Sequence, residues 1–159
     1  MEQLIITVFL TSVPLVFAAT GELIAERSGV LNLGVEGMML MGAVAAFAIA
    51  MGTGSPTLGI LAGAVAGALT AAVFAFFALG LATNQVATGL ALTIFGTGLS
   101  GLVGAPLVGK AIEGLPQLPI PILADIPVLG NLFFNHDIMV YLAVALVIAA
   151  AWVLKKTRF

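Results

Sequence analysis

Residues 22–37 read Glu22-Leu-Ile-Ala-Glu26-Arg27-Ser28-Gly29-Val30-Leu31-Asn32-Leu33-Gly34-Val35-Glu36-Gly37. They set Glu22, Glu26, Arg27, Asn32 and Glu36 among glycines in a 159-residue chain that is 62% hydrophobic and only 8% charged. Polar groups are expensive in hydrocarbon, so a cluster of them between two apolar runs needs a physical reason. The reasons available are a membrane boundary, a helix break or a solute pathway.

The composition around this cluster names the solvent. Charged residues make up about a quarter of an average globular chain, and the mean hydropathy here is +1.25. A bundle this apolar has little polar surface to show water, which points to lipid. Cysteine is absent, which removes disulfides and thiolate chemistry. No basic, aromatic-interleaved stretch suggests nucleic acid. The apolar run from Leu4 to Ala19 has a superficial likeness to a secretion signal. Glu2 stands where such a signal carries basic residues, and further long apolar runs follow, so the run reads as a retained first span.

A helix needs about 20 mostly apolar residues to cross the hydrocarbon core. The first such run goes from Leu4 to about Ile24, with Pro14 placed to kink it. The second begins near Leu33, inside the polar cluster, and ends near Met51. Gly52-Thr53-Gly54-Ser55-Pro56 reads as a turn. The third runs from Leu58 to Ala82, Asn84-Gln85 forms a brief polar break, and the fourth runs from Val86 to about Val108. After a proline-rich stretch from Lys110 to Asp137, the fifth runs from Ile138 to Leu154 and stops at Lys155-Lys156-Thr157-Arg158. The expected fold is therefore all-α: a polytopic transmembrane helix bundle of about five spans, one helix broken near residues 28–37, forming one domain over 1–159.

Three of the five basic residues lie in the last five positions. Basic residues favour the cytoplasmic side, so the C-terminus is expected inside and, counting spans backwards, the N-terminus outside. Arg27 then falls inside in independent agreement. Lys110 falls outside, near a helix end from which a lysine can snorkel. The proline-rich stretch holds Pro116, Pro119, Pro121 and Pro127 among many apolar residues. It is expected to lie on the membrane face or tuck back into protein cover, with His136 and Asp137 at the water boundary. One histidine beside one aspartate offers too few ligands for a metal.

Gly59, Gly63 and Gly67 recur at spacing four in the third run. They leave one helix face nearly bare for close packing, within the chain or against another subunit. Two further glycine motifs are set aside. Gly104-Ala-Pro-Leu-Val-Gly109-Lys110-Ala111 lacks the hydroxyl that a phosphate loop needs after its lysine. Gly96-Thr-Gly98-Leu-Ser-Gly101 has dinucleotide-like spacing without the strand that should precede it, and suits a packing face better.

In the opening stretch, Ser28-Gly29 is expected to break the helix and Asn32-Leu33-Gly34-Val35-Glu36-Gly37 to re-enter the membrane. Asn32 and Glu36 are four apart and are expected to share an inward-pointing helix face, with Gly34 and Gly37 leaving room beside them. A broken helix of this kind can aim freed backbone groups at a solute route. The other reading puts Glu36 at headgroup level, neutralising Arg27 or a neighbouring helix.

The run from Glu26 to Ala43, Glu-Arg-Ser-Gly-Val-Leu-Asn-Leu-Gly-Val-Glu-Gly-Met-Met-Leu-Met-Gly-Ala, closely resembles the signature of membrane permeases in bacterial ABC importers. This is the inner-membrane translocator family that includes branched-chain amino acid, ribose-type sugar and nucleoside permeases. Asn84-Gln85-Val86-Ala87-Thr88-Gly89-Leu90-Ala91-Leu92 and Ile126-Pro127-Val128-Leu129-Gly130 are similar to its nucleoside and simple-sugar branch. The resemblance implies a cell-membrane permease subunit that works without a cofactor of its own. It would pair with a second permease subunit, cytoplasmic ATPase subunits and an extracytoplasmic solute-binding protein. It nominates Asn32, Glu36, Asn84, Gln85 and Thr88 for the solute pathway or its cytoplasmic mouth, since asparagine and glutamine offer the donors and acceptors that sugars and nucleosides need. Family members run to about twice this length, with a coupling loop after a basic segment like Lys155–Phe159, so the expected match is to a first half or a shortened form. A non-transporting membrane scaffold or assembly subunit is the alternative. An intramembrane enzyme is disfavoured for want of a nucleophile–base or metal set.

Overall fold

The computed structural model describes residues 2–112, 114–116, 118–119 and 135–157. Among the described residues, five helices are long and apolar enough to cross a membrane: α1 (Glu2–Arg27), α2 (Val35–Thr53), α3 (Pro56–Ala75), α4 (Gln85–Gly104) and α5 (Ile138–Lys156). A π-helical turn, Phe76–Gly80, extends α3, and a 3-10 turn, Ala105–Leu107, extends α4. Strands β1 (Leu118–Pro119) and β2 (Asn135–His136) pair antiparallel over two residues each, Leu118 opposite His136. The expectation for the proline-rich loop falls mostly on residues outside the described set.

The helix ends follow local chemistry. α1 continues through Pro14 to Arg27, and Ser28 closes its last turn by donating from its amide to the Ala25 carbonyl at 3.0 Å. Gly29 then adopts φ +84, a left-handed conformation that favours glycine and turns the chain out of the helix. The expected five-residue turn after α2 contracts to Gly54-Ser55. Gly54, at φ +68, ends α2, Ser55 caps α3, and Pro56 takes the first helical position, where its missing N–H costs nothing. Asn84 caps α4 by accepting from the Ala87 amide at 3.0 Å. Asp137 caps α5 by accepting from the Met139 and Val140 amides, so its carboxylate marks the start of the last span.

The third span departs from a plain helix. The Leu81 amide donates to the Phe76 carbonyl, five residues back, which is the π spacing. Ala82 follows at φ +50, an uncommon conformation for a residue with a side chain. The Thr83 amide and hydroxyl both donate to the Phe77 carbonyl, at 3.1 and 2.8 Å. These bonds satisfy carbonyls that the wide turn leaves unpaired.

The chain forms two compact units, residues 1–28 with 115–159 and residues 29–114. In the first, α1 meets α5 through side chains. Val13, Val140 and Ala143 are buried, with Phe9, Val16, Phe17 and Met139 packed around them. In the second, α2 is the shared element. It runs antiparallel to α3, with Gly42 against Gly63 and Ala46 against both Gly63 and Gly59. It runs parallel to α4, since Gly34 meets Gly89, Gly37 meets Gly96 and Val44 meets Gly104. Gly59 and Gly63 of the small-residue face thus pack within the chain. A Cβ on Gly67 would meet open space.

Candidate functional site

Between Arg27 and Val35 the backbone is not helical. Its N–H and C=O groups have no helical partners and must find others. α4 provides two. The Leu31 amide donates to Gln85 Oε1 at 2.8 Å, and the Thr93 hydroxyl donates to the Leu33 carbonyl at 2.8 Å. The segment supplies a third bond itself, as the Gly34 amide donates to Asn32 Oδ1 at 2.9 Å. The other end of the Asn32 amide reaches Met38 Sδ at 3.5 Å.

Glycine allows this approach. A Cβ on Gly89 would stand 2.7 Å from the Leu33 nitrogen and 2.9 Å from the Gly34 nitrogen. On Gly37 it would stand 2.6 Å from the Leu92 carbonyl oxygen, and on Gly96 2.6–2.8 Å from the Gly37 backbone. These neighbours are main-chain atoms that cannot swing aside, so the seam is backbone against backbone. Beside it lies a core of Met38, Phe74, Ala78 and Leu92, against which Val30 packs. The re-entry segment is therefore fastened at both its apolar and its polar groups.

The expected helix face shared by Asn32 and Glu36 is corrected. α2 begins at Val35 with Gly34 as its cap, so Asn32 lies outside the helix and the four-residue spacing does not place the two side chains together. The physical reason is the Asn32–Gly34 bond, a local side-chain-to-backbone contact that competes with helix formation. Asn32 is half-buried. Glu36 is exposed in the first turn of α2, where the helix dipole favours a carboxylate.

The remaining nominated residues gather at the start of α4. The Asn84 carbonyl accepts from the amide and the hydroxyl of Thr88, both at 2.9 Å, and the Thr83 and Thr88 hydroxyls lie 2.9 Å apart. Thr83 and Thr88 line a mostly apolar groove of about 390 Å³ together with Val73, Phe74, Phe77 and Phe95. Among the described residues no group of three or more His, Asp or Glu is placed to hold a metal ion.

The structure thus brings Asn32, Gln85 and the Leu31–Gly34 backbone together, keeps Asn84 with Thr88, and leaves Glu36 exposed. Sequence reasoning missed Thr93, Gly89 and the true partner of Gly96. The signal was present as Gly89, Thr93 and Gly96, spaced four and then three along α4, which is one helix face. The packing face expected of Gly96-Thr-Gly98-Leu-Ser-Gly101 is found at Gly96, which packs on Gly37, whereas a Cβ on Gly98 or Gly101 would meet nothing within 4 Å.

Comparison with known proteins adds a second line of argument. The family described as branched-chain amino acid transport system / permease component matches residues 4–159. A protein of Haloferax volcanii named for a glucose ABC transporter permease role, TsgC13, is 44% identical over 87% of this chain and 43% of its own length. The guanosine ABC transporter permease protein NupQ of Bacillus subtilis is 35% identical, covering 92% of this chain and 50% of its own. The nucleoside ABC transporter permease protein NupC of Lactococcus lactis is 29% identical, covering 100% and 54%. The chain therefore spans about half the length of these curated relatives. No solved structure matches it significantly.

Proposed function

Because this chain belongs to the branched-chain amino acid transport system permease family, we propose that it supplies helices around the translocation pathway of an ATP-binding-cassette importer. The solute is a nucleoside or a simple sugar, with a branched-chain amino acid next. The family match over residues 4–159 carries this reading, and relatives named for guanosine, nucleoside and glucose transport support the solute class. Asn32, Glu36, Asn84, Gln85 and Thr88 border the route or its cytoplasmic mouth. The partners are a second permease subunit, cytoplasmic ATPase subunits and an extracytoplasmic solute-binding protein. Lys155 and Lys156, in the last turn of α5, and Arg27, in the last turn of α1, support a cytoplasmic C-terminus and an external N-terminus in a cell membrane.

The transport logic follows from differential binding. ATP turnover on the partners shifts the permease pair between inward- and outward-open states, and a solute held weakly and differently in each is released to one side. Reconstitution of the permease with its ATPase and binding protein in liposomes tests this. ATP-dependent uptake of labelled guanosine or glucose is the expected result. Co-purification with membrane partners but no uptake of any nucleoside, sugar or branched-chain amino acid would favour the scaffold reading.

A further inference from the structure

We propose that Gln85 and Thr93 are positioning residues that fasten the non-helical segment Leu31–Gly34 to α4, so that this segment, the first half of α2 and α4 travel as one body through the transport cycle. The inference rests on the permease reading above and deepens it by assigning what Gln85 does there.

The two contacts are complementary. Gln85 supplies an acceptor to the Leu31 N–H and Thr93 supplies a donor to the Leu33 carbonyl. Leu31 and Leu33 are two residues apart in the segment, and their partners are eight apart on α4. Two residues of chain reach about 7 Å at most, so the Gln85 and Thr93 side chains span the rest of the roughly 12 Å of helix axis between their own positions. Together the two side chains stand in for the helical turn that the segment does not make. Detaching the segment would break both bonds, which lie at an exposed edge of the unit, at a cost near that of one ordinary hydrogen bond each.

Packing points the same way. A Cβ on Gly89, Gly37 or Gly96 would lie within 3.0 Å of main-chain atoms across the seam. Sliding one helix along the other brings Cβ-bearing residues into those positions, so an interface this close is set in one register. A Cβ on Gly104, at the far end of the same pair, would be 3.4 Å from Val44 Cγ2, so the register holds over the first half of α2. The Gln85 acceptor is committed to the backbone, and a solute would have to be met by the N–H donors of that amide.

Two experiments on the full complex decide this. The chain has no cysteine, so Val44→Cys with Gly104→Cys gives a single candidate disulfide at a spacing near that of natural ones. The expected result is that the disulfide forms and uptake continues when it is oxidised. Failure to form it, or uptake abolished by oxidation and restored by reductant, overturns the proposal. For the fastening itself, Gln85→Leu and Thr93→Val are each expected to lower the maximal uptake rate about tenfold, near the worth of one hydrogen bond, with little change in KM. Gln85→Glu keeps an acceptor and Thr93→Ser keeps a donor, and both are expected to recover most of that rate. A raised KM in Gln85→Glu equal to that in Gln85→Leu would mean that Gln85 meets solute through its donors, and would overturn the assignment. Absence of uptake from the wild-type complex would instead count against the permease reading. The fastening is then read from Leu31→Cys, whose labelling by a membrane-impermeant maleimide must speed up in Gln85→Leu and not in Gln85→Glu; equal labelling in both would refute it.

Discussion

The seam between α2 and α4 and the seam between α1 and α5 solve one problem in opposite ways. Lipid gives two helices no hydrophobic reason to associate, so both seams depend on close packing. α1 and α5 stay helical where they meet, α1 continuing through Pro14, and they interlock Val13, Val140 and Ala143 with phenylalanine and valine side chains around them. α2 and α4 meet where the chain is interrupted, and there the main chains touch over Gly34, Gly37, Gly89 and Gly96 while Gln85 and Thr93 bond to the backbone. A regular helix satisfies its own peptide groups and needs only shape from its neighbour. A broken one needs hydrogen bonds as well, and side chains reach backbone only when nothing stands between them.

The two seams should therefore fail under opposite substitutions. Adding bulk at the α2–α4 seam has the largest effect: Gly96→Leu is expected to prevent a stable bundle, seen as loss of the monodisperse detergent-solubilised species. Gly96→Ala adds one carbon 2.6–2.8 Å from the Gly37 backbone and should cost about 1–3 kcal/mol by overpacking, read as a lower melting temperature in detergent. Removing bulk harms the other seam. Val140 is 4% exposed, and Val140→Ala should cost about 1–2 kcal/mol through lost contacts and the cavity left behind. The start of α5 tests capping alone: Asp137→Ala removes the acceptor for two amides and should cost about 1 kcal/mol. Gly67→Ala is the control. Its Cβ would meet open space, so stability should hold or rise by up to about 1 kcal/mol from helix propensity. A large loss at Gly67 would show that the glycine face packs against something outside this chain.

Much of the fold was legible because bilayer thickness fixes the length of an apolar run. The helices start and stop within a few residues of the runs in the sequence, and Gly54-Ser55-Pro56 spells its own turn. The π turn at Phe76–Gly80 was not legible: Phe76-Phe77-Ala78-Leu79-Gly80 is as apolar as the helix before it, and the change lies in hydrogen-bond spacing. At the site, Ser28-Gly29 and Asn84 were readable from cap and break chemistry. The start of α2 was misplaced because periodicity was extended through Asn32, whose side chain bonds the Gly34 amide and holds the chain out of the helix. The bond made by Thr93 was not legible because its partner is a carbonyl 60 residues away; only its place on the face of Gly89 and Gly96 sets it apart from a threonine bonded within its own helix such as Thr97.

The most direct test is amide hydrogen exchange of the chain in lipid nanodiscs, following residues 30–35. If the segment is fastened to α4, the Leu31 amide exchanges slowly despite lying outside any helix. The double variant Gln85→Leu with Thr93→Val then speeds that exchange about tenfold while the centre of α5 stays unchanged. A Leu31 amide that exchanges in the wild type as fast as an open turn, or at the same rate with and without the two α4 side chains, would contradict the account.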